Sequence, residues 1–212
     1  MTDTATRFDR AFAACPLVAI LRGLTPAEAP AIGDALVEAG FTLLEVPLNS
    51  PDPFDSIAML AGRLGARAMV GAGTVLDVGQ VAQVAAAGGT LIVSPNTDPA
   101  VIRASIAAGL ISLPGYYTAS EGFAALAAGA TALKLFPADA TPPAMLTAQR
   151  AVLPRSARVL AVGGITPQTM AGWRAAGADG FGLGSALYRP GKSPRDVARD
   201  AAAFVAAVKD SA

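Results

Sequence analysis

Glycines close one alanine-rich stretch after another in this chain, at Gly40, Gly65, Gly88, Gly109, Gly129 and Gly177, and their spacing constrains the fold more than any other feature. The successive gaps are 25, 23, 21, 20 and 48 residues. The last is two repeats long, with Pro154 ending the intervening helix. Glycine in that place suits the left-handed backbone that commonly terminates a helix, so each repeat reads as strand, helix and stop. The strands fall near Leu17 to Leu21, Thr42 to Val46, Ala68 to Gly71, Thr90 to Val93, Leu110 to Leu113, Thr131 to Leu135, Arg158 to Val162 and Gly180 to Leu183. Most are apolar throughout, as strands of a parallel sheet covered by helices are. With a C-terminal helix added, eight βα units in 212 residues predict one α/β domain over 1–212, a (β/α)8 TIM barrel. A doubly wound open sheet is the competing arrangement, but no Gly-x-Gly-x-x-Gly fingerprint follows the first strand to support it. Phe8, Ala11, Phe12 and Cys15 fall at i, i+3, i+4 and i+7, which predicts an extra short N-terminal helix that plugs or flanks the core.

Composition narrows the chemistry. The chain has no histidine, which removes serine and cysteine triads, histidine bases and the commonest zinc sites together. Proton transfer then falls to a carboxylate, an amine, a phenol or the substrate itself. The lone Cys15 has no intrachain disulfide partner and reads as packing. Sixteen basic and sixteen acidic residues cancel, so no net field draws the chain to nucleic acid or to a membrane surface. No apolar run approaches the roughly 20 residues of a membrane span. The mixed charges of Asp3, Arg7, Asp9 and Arg10 lack the apolar centre of a secretory signal, so a cytoplasmic location is expected.

A barrel builds its ligand site from the C-terminal ends of its strands and the loops that follow. At one of those ends lies Ala132-Leu133-Lys134-Leu135-Phe136-Pro137. The chain holds three lysines against thirteen arginines. A lysine kept inside an apolar run, where arginine is the default cation, points to a task that needs an amine able to lose its proton. Desolvation that lowers a lysine from about 10.4 toward about 7 to 8 makes it a nucleophile for carbonyls and a Schiff-base former. The plainer reading is a strand-end lysine reaching for water. Glu45 sits inside the apolar strand run Leu43-Leu44-Glu45-Val46-Pro47. It reads either as a structural ion-pair partner of Lys134 or as the carboxylate that moves protons for a lysine-bound substrate.

The Gly163-Gly164 pair after strand seven and Gly184-Ser185 after strand eight stand where barrels often hold phosphate on backbone N–H groups. Thr166-Pro167 suits the helix start that follows. Arg22, directly after strand one, is a candidate carboxylate or phosphate clamp, or else a rim arginine paired with a surface acid. Thr74 either hydrogen-bonds a substrate carboxylate or closes the Gly-Ala-Gly turn; Asn49 either contacts hydroxyls or caps a turn. Phe136 is expected to wall the pocket beside the amine. Tyr116, Tyr117 and Trp173 read chiefly as packing, with Tyr116 nearest the expected mouth. On these residues alone, a phosphosugar isomerase, a metal-dependent aldolase and a non-catalytic phosphosugar sensor remain alternatives to a lysine-dependent aldolase.

Taken in order, Leu-Glu-Val-Pro-Leu-Asn (44 to 49), Val-Gly-Ala-Gly-Thr-Val-Leu (70 to 76), Ser-Pro-Asn (94 to 96), Pro-Gly (114 to 115), Leu-Lys-Leu-Phe-Pro-Ala (133 to 138), Val-Gly-Gly-Ile (162 to 165) and Leu-Gly-Ser (183 to 185) resemble the class I aldolases of 2-keto-3-deoxy-6-phosphosugar acids. The likeness covers nearly the whole chain. It implies a barrel that assembles as a homotrimer, needs no metal or other cofactor, and acts on a small phosphorylated keto acid. It also implies that Lys134 forms the Schiff base and Glu45 is the general acid and base. Thr74 and Pro95 would lie by the pyruvyl portion, and Gly163, Gly164, Gly184 and Ser185 would hold the phosphate. Asn49 stands where the 6-phosphogluconate branch of the family has arginine. That residue, Arg22-Gly23 and the Pro-Leu-Asn-Ser-Pro run (47 to 51) resemble the 6-phosphogalactonate branch, in which the early arginine binds the carboxylate. Tyr116-Tyr117 are bulkier than the family pattern at that point.

Overall fold

The computed structural model describes residues 4–210; Asp3 lies outside them. Its strands run in the order β1 (Leu17–Ile20), β2 (Leu43–Pro47), β3 (Met69–Gly73), β4 (Leu91–Val93), β5 (Ile111–Leu113), β6 (Gly115–Tyr116), β7 (Leu133–Leu135), β8 (Val159–Val162) and β9 (Gly180–Leu183). All are parallel, in the sheet order β5-β4-β3-β2-β1-β9-β8-β7-β6. The two ends of that order are halves of one stave, separated only by Pro114, which has no N–H to give a ladder. The Pro114 carbonyl still accepts from Lys134 N at 2.9 Å, and Ser94 N donates to Leu113 O at 3.3 Å, so the sheet closes into the eight-staved barrel that the repeat predicts.

The helices are α1 (Thr4–Ala14), α2 (Ala29–Glu38), α3 (Pro53–Leu64), α4 (Val78–Ala86), α5 (Pro99–Ala107), α6 (Ala119–Ala127), α7 (Pro143–Arg150), α8 (Pro167–Ala175) and α9 (Pro194–Asp210). Side chains alternate across a strand, and the barrel therefore has two cores. Outward residues such as Leu17, Ala19, Leu44, Val46, Leu133 and Leu135 pack beneath the helices. Inward residues, among them Val18, Leu43, Met69, Leu91, Ile111 and Leu160, fill the lumen together with Phe8 and Phe12 of α1. The first helix is thus the plug of the barrel floor. The Phe8 and Phe12 rings lie 5.6 Å apart, and the Arg158 guanidinium covers both, at 5.8 and 5.4 Å from their centroids. A side chain at Gly180 would run into Phe12, so the glycine makes room for the plug. Cys15 is buried beside it as packing.

Gly40, Gly88, Gly109, Gly129 and Gly177 adopt the left-handed conformation expected of helix stops. Gly65 does not: its φ is −54°, and the chain leaves α3 by a further right-handed turn in which Arg67 N and Ala68 N both donate to Leu64 O. Tyr116 is packing, as its sequence context predicts. It faces outward, buried among the helices, with its hydroxyl donating to Gln149 Oε1 at 3.0 Å while Gln149 Nε2 donates to Tyr117 O at 2.8 Å. The bulk of Tyr116 is absorbed by the outer core. Trp173 is buried there too.

Candidate active site

Inward positions on β2 and β7 carry the two ionisable groups of the lumen. In the ladder Glu45 sits level with Ile20 of β1 and Gly71 of β3, and Lys134 level with Gly115 of β6 and Leu160 of β8. Both side chains reach one small apolar chamber walled by Val18, Ile20, Val93, Leu113, Leu160, Val162 and Gly182. Glu45 is 1% exposed and Lys134 8%. Such walls offer neither charge any solvation, and each group responds toward its neutral form. Burial pushes the Glu45 carboxyl up to about 7, against the opposing pull of Lys134 and then Arg22. The Lys134 ammonium is driven below its ordinary range by burial, with Glu45 opposing and Arg22 adding to the fall.

No nitrogen–oxygen contact within 4.0 Å joins the two among the described residues, and Glu45 Oε2 is buried without a hydrogen-bond partner. A structural ion pair would close that gap, because an unmade charge-assisted bond in a dry site is costly. The Lys134 ammonium nitrogen instead lies 4.8 Å from the centroid of the Phe136 ring, the expected pocket wall. Beneath Glu45 the strand must be bare: a Cβ at Gly73 would overlap the carboxylate. The next residue, Thr74, holds φ +57°, a conformation strained for a β-branched side chain and characteristic of functional sites.

Ile20, Val162 and Gly182 also line the cleft of about 740 Å³ that lies above the chamber. Arg22, Phe136, Gly163, Gly164, Gly184 and Ser185 share its wall, so six of the residues expected from the sequence converge there. Gly163 and Gly164 have φ of +118° and +64°, and Thr166 caps α8 with Pro167 in its first turn. Gly23 N donates to Ser50 Oγ at 2.9 Å, tying the loop that carries Arg22 to the loop after β2. Asn49, Thr74 and Pro95 do not line this cleft. Asn49 is exposed in a turn in which Leu48 N donates to Gly73 O and Ser50 N to Pro47 O. Pro95 is half-buried, its carbonyl packed against Gly115, the ladder partner of Lys134. Two charged residues that the sequence reading left out, Asp139 and Arg189, complete the cleft wall.

A parallel barrel whose lumen presents a desolvated amine and a desolvated carboxylate below an open cleft has the build of a lyase of the class I aldolase type. The family model for the KDPG and KHG aldolases matches residues 9–199, and the chain belongs to that family. It is 50% identical over 192 residues to the probable 2-dehydro-3-deoxy-6-phosphogalactonate aldolase of Rhizobium meliloti (strain 1021), covering 91% of each chain. With the 2-dehydro-3-deoxy-6-phosphogalactonate aldolase of Escherichia coli (strain K12) it shares 49% over 196 residues, 92% of this chain and 96% of the other. A solved structure described as native KDPGal superposes with a TM-score of 0.91 at 49% identity, over 92% of this chain and 95% of that one.

Proposed function

We propose that this chain cleaves 2-dehydro-3-deoxy-6-phosphogalactonate to pyruvate and D-glyceraldehyde 3-phosphate, with Lys134 as the Schiff-base lysine and Glu45 as the proton carrier. The observation that carries the assignment is the shared apolar chamber in which both groups are buried without being paired. Neutral Lys134 attacks the C2 ketone, and Glu45 relays protons while the carbinolamine loses water. The resulting iminium is an electron sink. Glu45, directly or through a water, removes the proton of the C4 hydroxyl; the C3–C4 bond breaks and the aldehyde leaves. Protonation of the remaining enamine and addition of water release pyruvate and free Lys134. Arg22, on the cleft wall directly after β1, holds the keto-acid carboxylate; its location beside the strand that carries Glu45 supports that role. Asn49, four residues beyond Glu45, leaves that task to Arg22 and favours the galactonate over the gluconate substrate. Family membership favours this lysine chemistry over the isomerase reading. A homotrimer in the cytoplasm is the assembly and location we favour; no helix among the described residues is long and apolar enough to cross a membrane.

Reduction with borohydride in the presence of pyruvate is the direct test. A stable adduct on the peptide bearing Lys134 is expected, and an unmodified Lys134 in an enzyme that turns over would remove it from the mechanism.

A further inference from the structure

The cleft wall carries only three charged side chains among the described residues, Arg22, Asp139 and Arg189. They are not equivalent. Arg22 leaves β1 beside Glu45, with Ile20 level with Glu45 in the ladder and Leu21 N donating to Glu45 O at 2.9 Å, which places it at the reacting end, whereas Arg189 lies beyond the Gly184-Ser185 turn. Arg189 follows the Gly184-Ser185 turn, and its neighbour Pro190 packs against Gly23, which sets the two arginine loops side by side. Nearby cations are already engaged: Lys192 Nζ pairs with Asp200 Oδ2 at 2.6 Å, and Arg199 with Asp196 at 2.7 Å and Asp200 at 2.9 Å. Arg189 has no carboxylate within 4.0 Å among the described residues. Asp139 sits on the opposite account. Its side chain lies against the Gly163-Gly164 turn, so closely that a Cβ at Gly163 would come within 2.8 Å of Oδ1 and one at Gly164 within 2.7 Å of the Asp139 Cβ.

A phosphate at that turn brings roughly −1.5 to −2 charges at neutral pH beside a carboxylate that only accepts hydrogen bonds. Backbone N–H groups orient such an anion but carry no net charge to offset Asp139. An unpaired guanidinium supplies the missing charge, and its planar fork matches phosphate oxygens two at a time. We propose that Arg189 is the countercharge for the distal phosphate and that Asp139 opposes it, so that the two residues set how strongly the enzyme prefers a phosphorylated substrate. This rests on the aldolase reading above.

The experiment compares kcat/KM for 2-dehydro-3-deoxy-6-phosphogalactonate and for its unphosphorylated counterpart in the wild type, Arg189→Ala, Arg189→Lys and Asp139→Asn, with inorganic phosphate as a competitive inhibitor. Arg189→Ala is expected to lower the preference for the phosphorylated substrate at least tenfold, mainly through KM, and to raise the inhibition constant for phosphate alike. Arg189→Lys should restore part of both. Asp139→Asn should move preference and phosphate inhibition the other way, severalfold. An Arg189→Ala loss of equal size on both substrates, or an Asp139→Asn variant that binds phosphate more weakly, overturns the proposal. Borohydride trapping with pyruvate in the same samples keeps the two readings apart. A missing Lys134 adduct in the wild type rejects the aldolase assignment, whereas a normal adduct with an Arg189→Ala variant whose phosphate preference and phosphate inhibition are unchanged rejects only the role of Arg189.

Discussion

Glu45 is the residue at which stability and chemistry conflict most directly. An unfolded chain would release its proton near the ordinary 4.5, whereas burial in the barrel holds it to about 7. Between those values the folded state binds a proton that the unfolded state has lost, so stability declines as pH rises through the window and levels off above it. Lys134 slopes the opposite way. Its lowered folded pKa means that the unfolded chain binds the extra proton, and stability from this group rises with pH up to the ordinary lysine range. Glu45→Gln keeps the shape and removes the ionisation. Urea unfolding of that variant should lose the decline that Glu45 imposes between roughly pH 5 and 7, leaving only the rise due to Lys134, and above that window it should be more stable than the wild type by on the order of 1–3 kcal/mol. Its kcat should fall by roughly 10²- to 10⁴-fold, the usual worth of a positioned acid or base. An unfolding midpoint that tracks the wild type across the window would mean that another group titrates there.

Each strand contributes at most one or two side chains to the mouth, and the elements below them only have to stay put. Helix α1 shows the division. Phe8 is fully buried in the barrel floor, at the end opposite the mouth, and stability rather than catalysis is what residues at that end of such a barrel serve. Phe8→Ala should cost about 3–5 kcal/mol as the cavity fails to collapse, read as a lowered melting temperature, while the folded fraction still forms the Lys134 adduct with pyruvate. A lost adduct in folded Phe8→Ala would tie the plug to the chemistry. The same division explains what was legible in the sequence. Strand positions, the plug and the inward pair Glu45 and Lys134 follow from period-2 and period-3.6 patterns that burial enforces. Gly65 misled because a glycine after a helix permits the left-handed turn without requiring it. Tyr116 was legible as packing, but the Pro114 break hides which face of β6 looks inward. Asp139 and Arg189 were invisible for a different reason: they sit in loops after Phe136-Pro137 and Gly184-Ser185, where no periodicity reports direction and only the closed barrel brings them together.

Around the whole barrel the cleft occupies the sector of β1, β7, β8 and β9, and the outer wall on the other side is unusually oily. Leu76 and Val78 at the start of α4, Ile106 on α5 and Phe123 on α6 are each more than two-fifths exposed, and these three helices are successive neighbours. This sector is where the proposed homotrimer would bury apolar surface between its copies. A second copy suits it, since sixteen acids and sixteen bases leave copies of the chain no net repulsion to overcome. An interface there would leave the cleft open in every subunit. For the proposed homotrimer, sedimentation equilibrium of the wild type should report three times the 21.1 kDa chain mass. The double change Ile106→Asp and Phe123→Asp alters exposed positions, where folding cost is small, but places carboxylates in the apolar sector. It should release smaller species that still cleave the substrate. A wild type that sediments as a monomer would sink the trimer, and a trimer indifferent to both aspartates would move the interface to another face of the barrel.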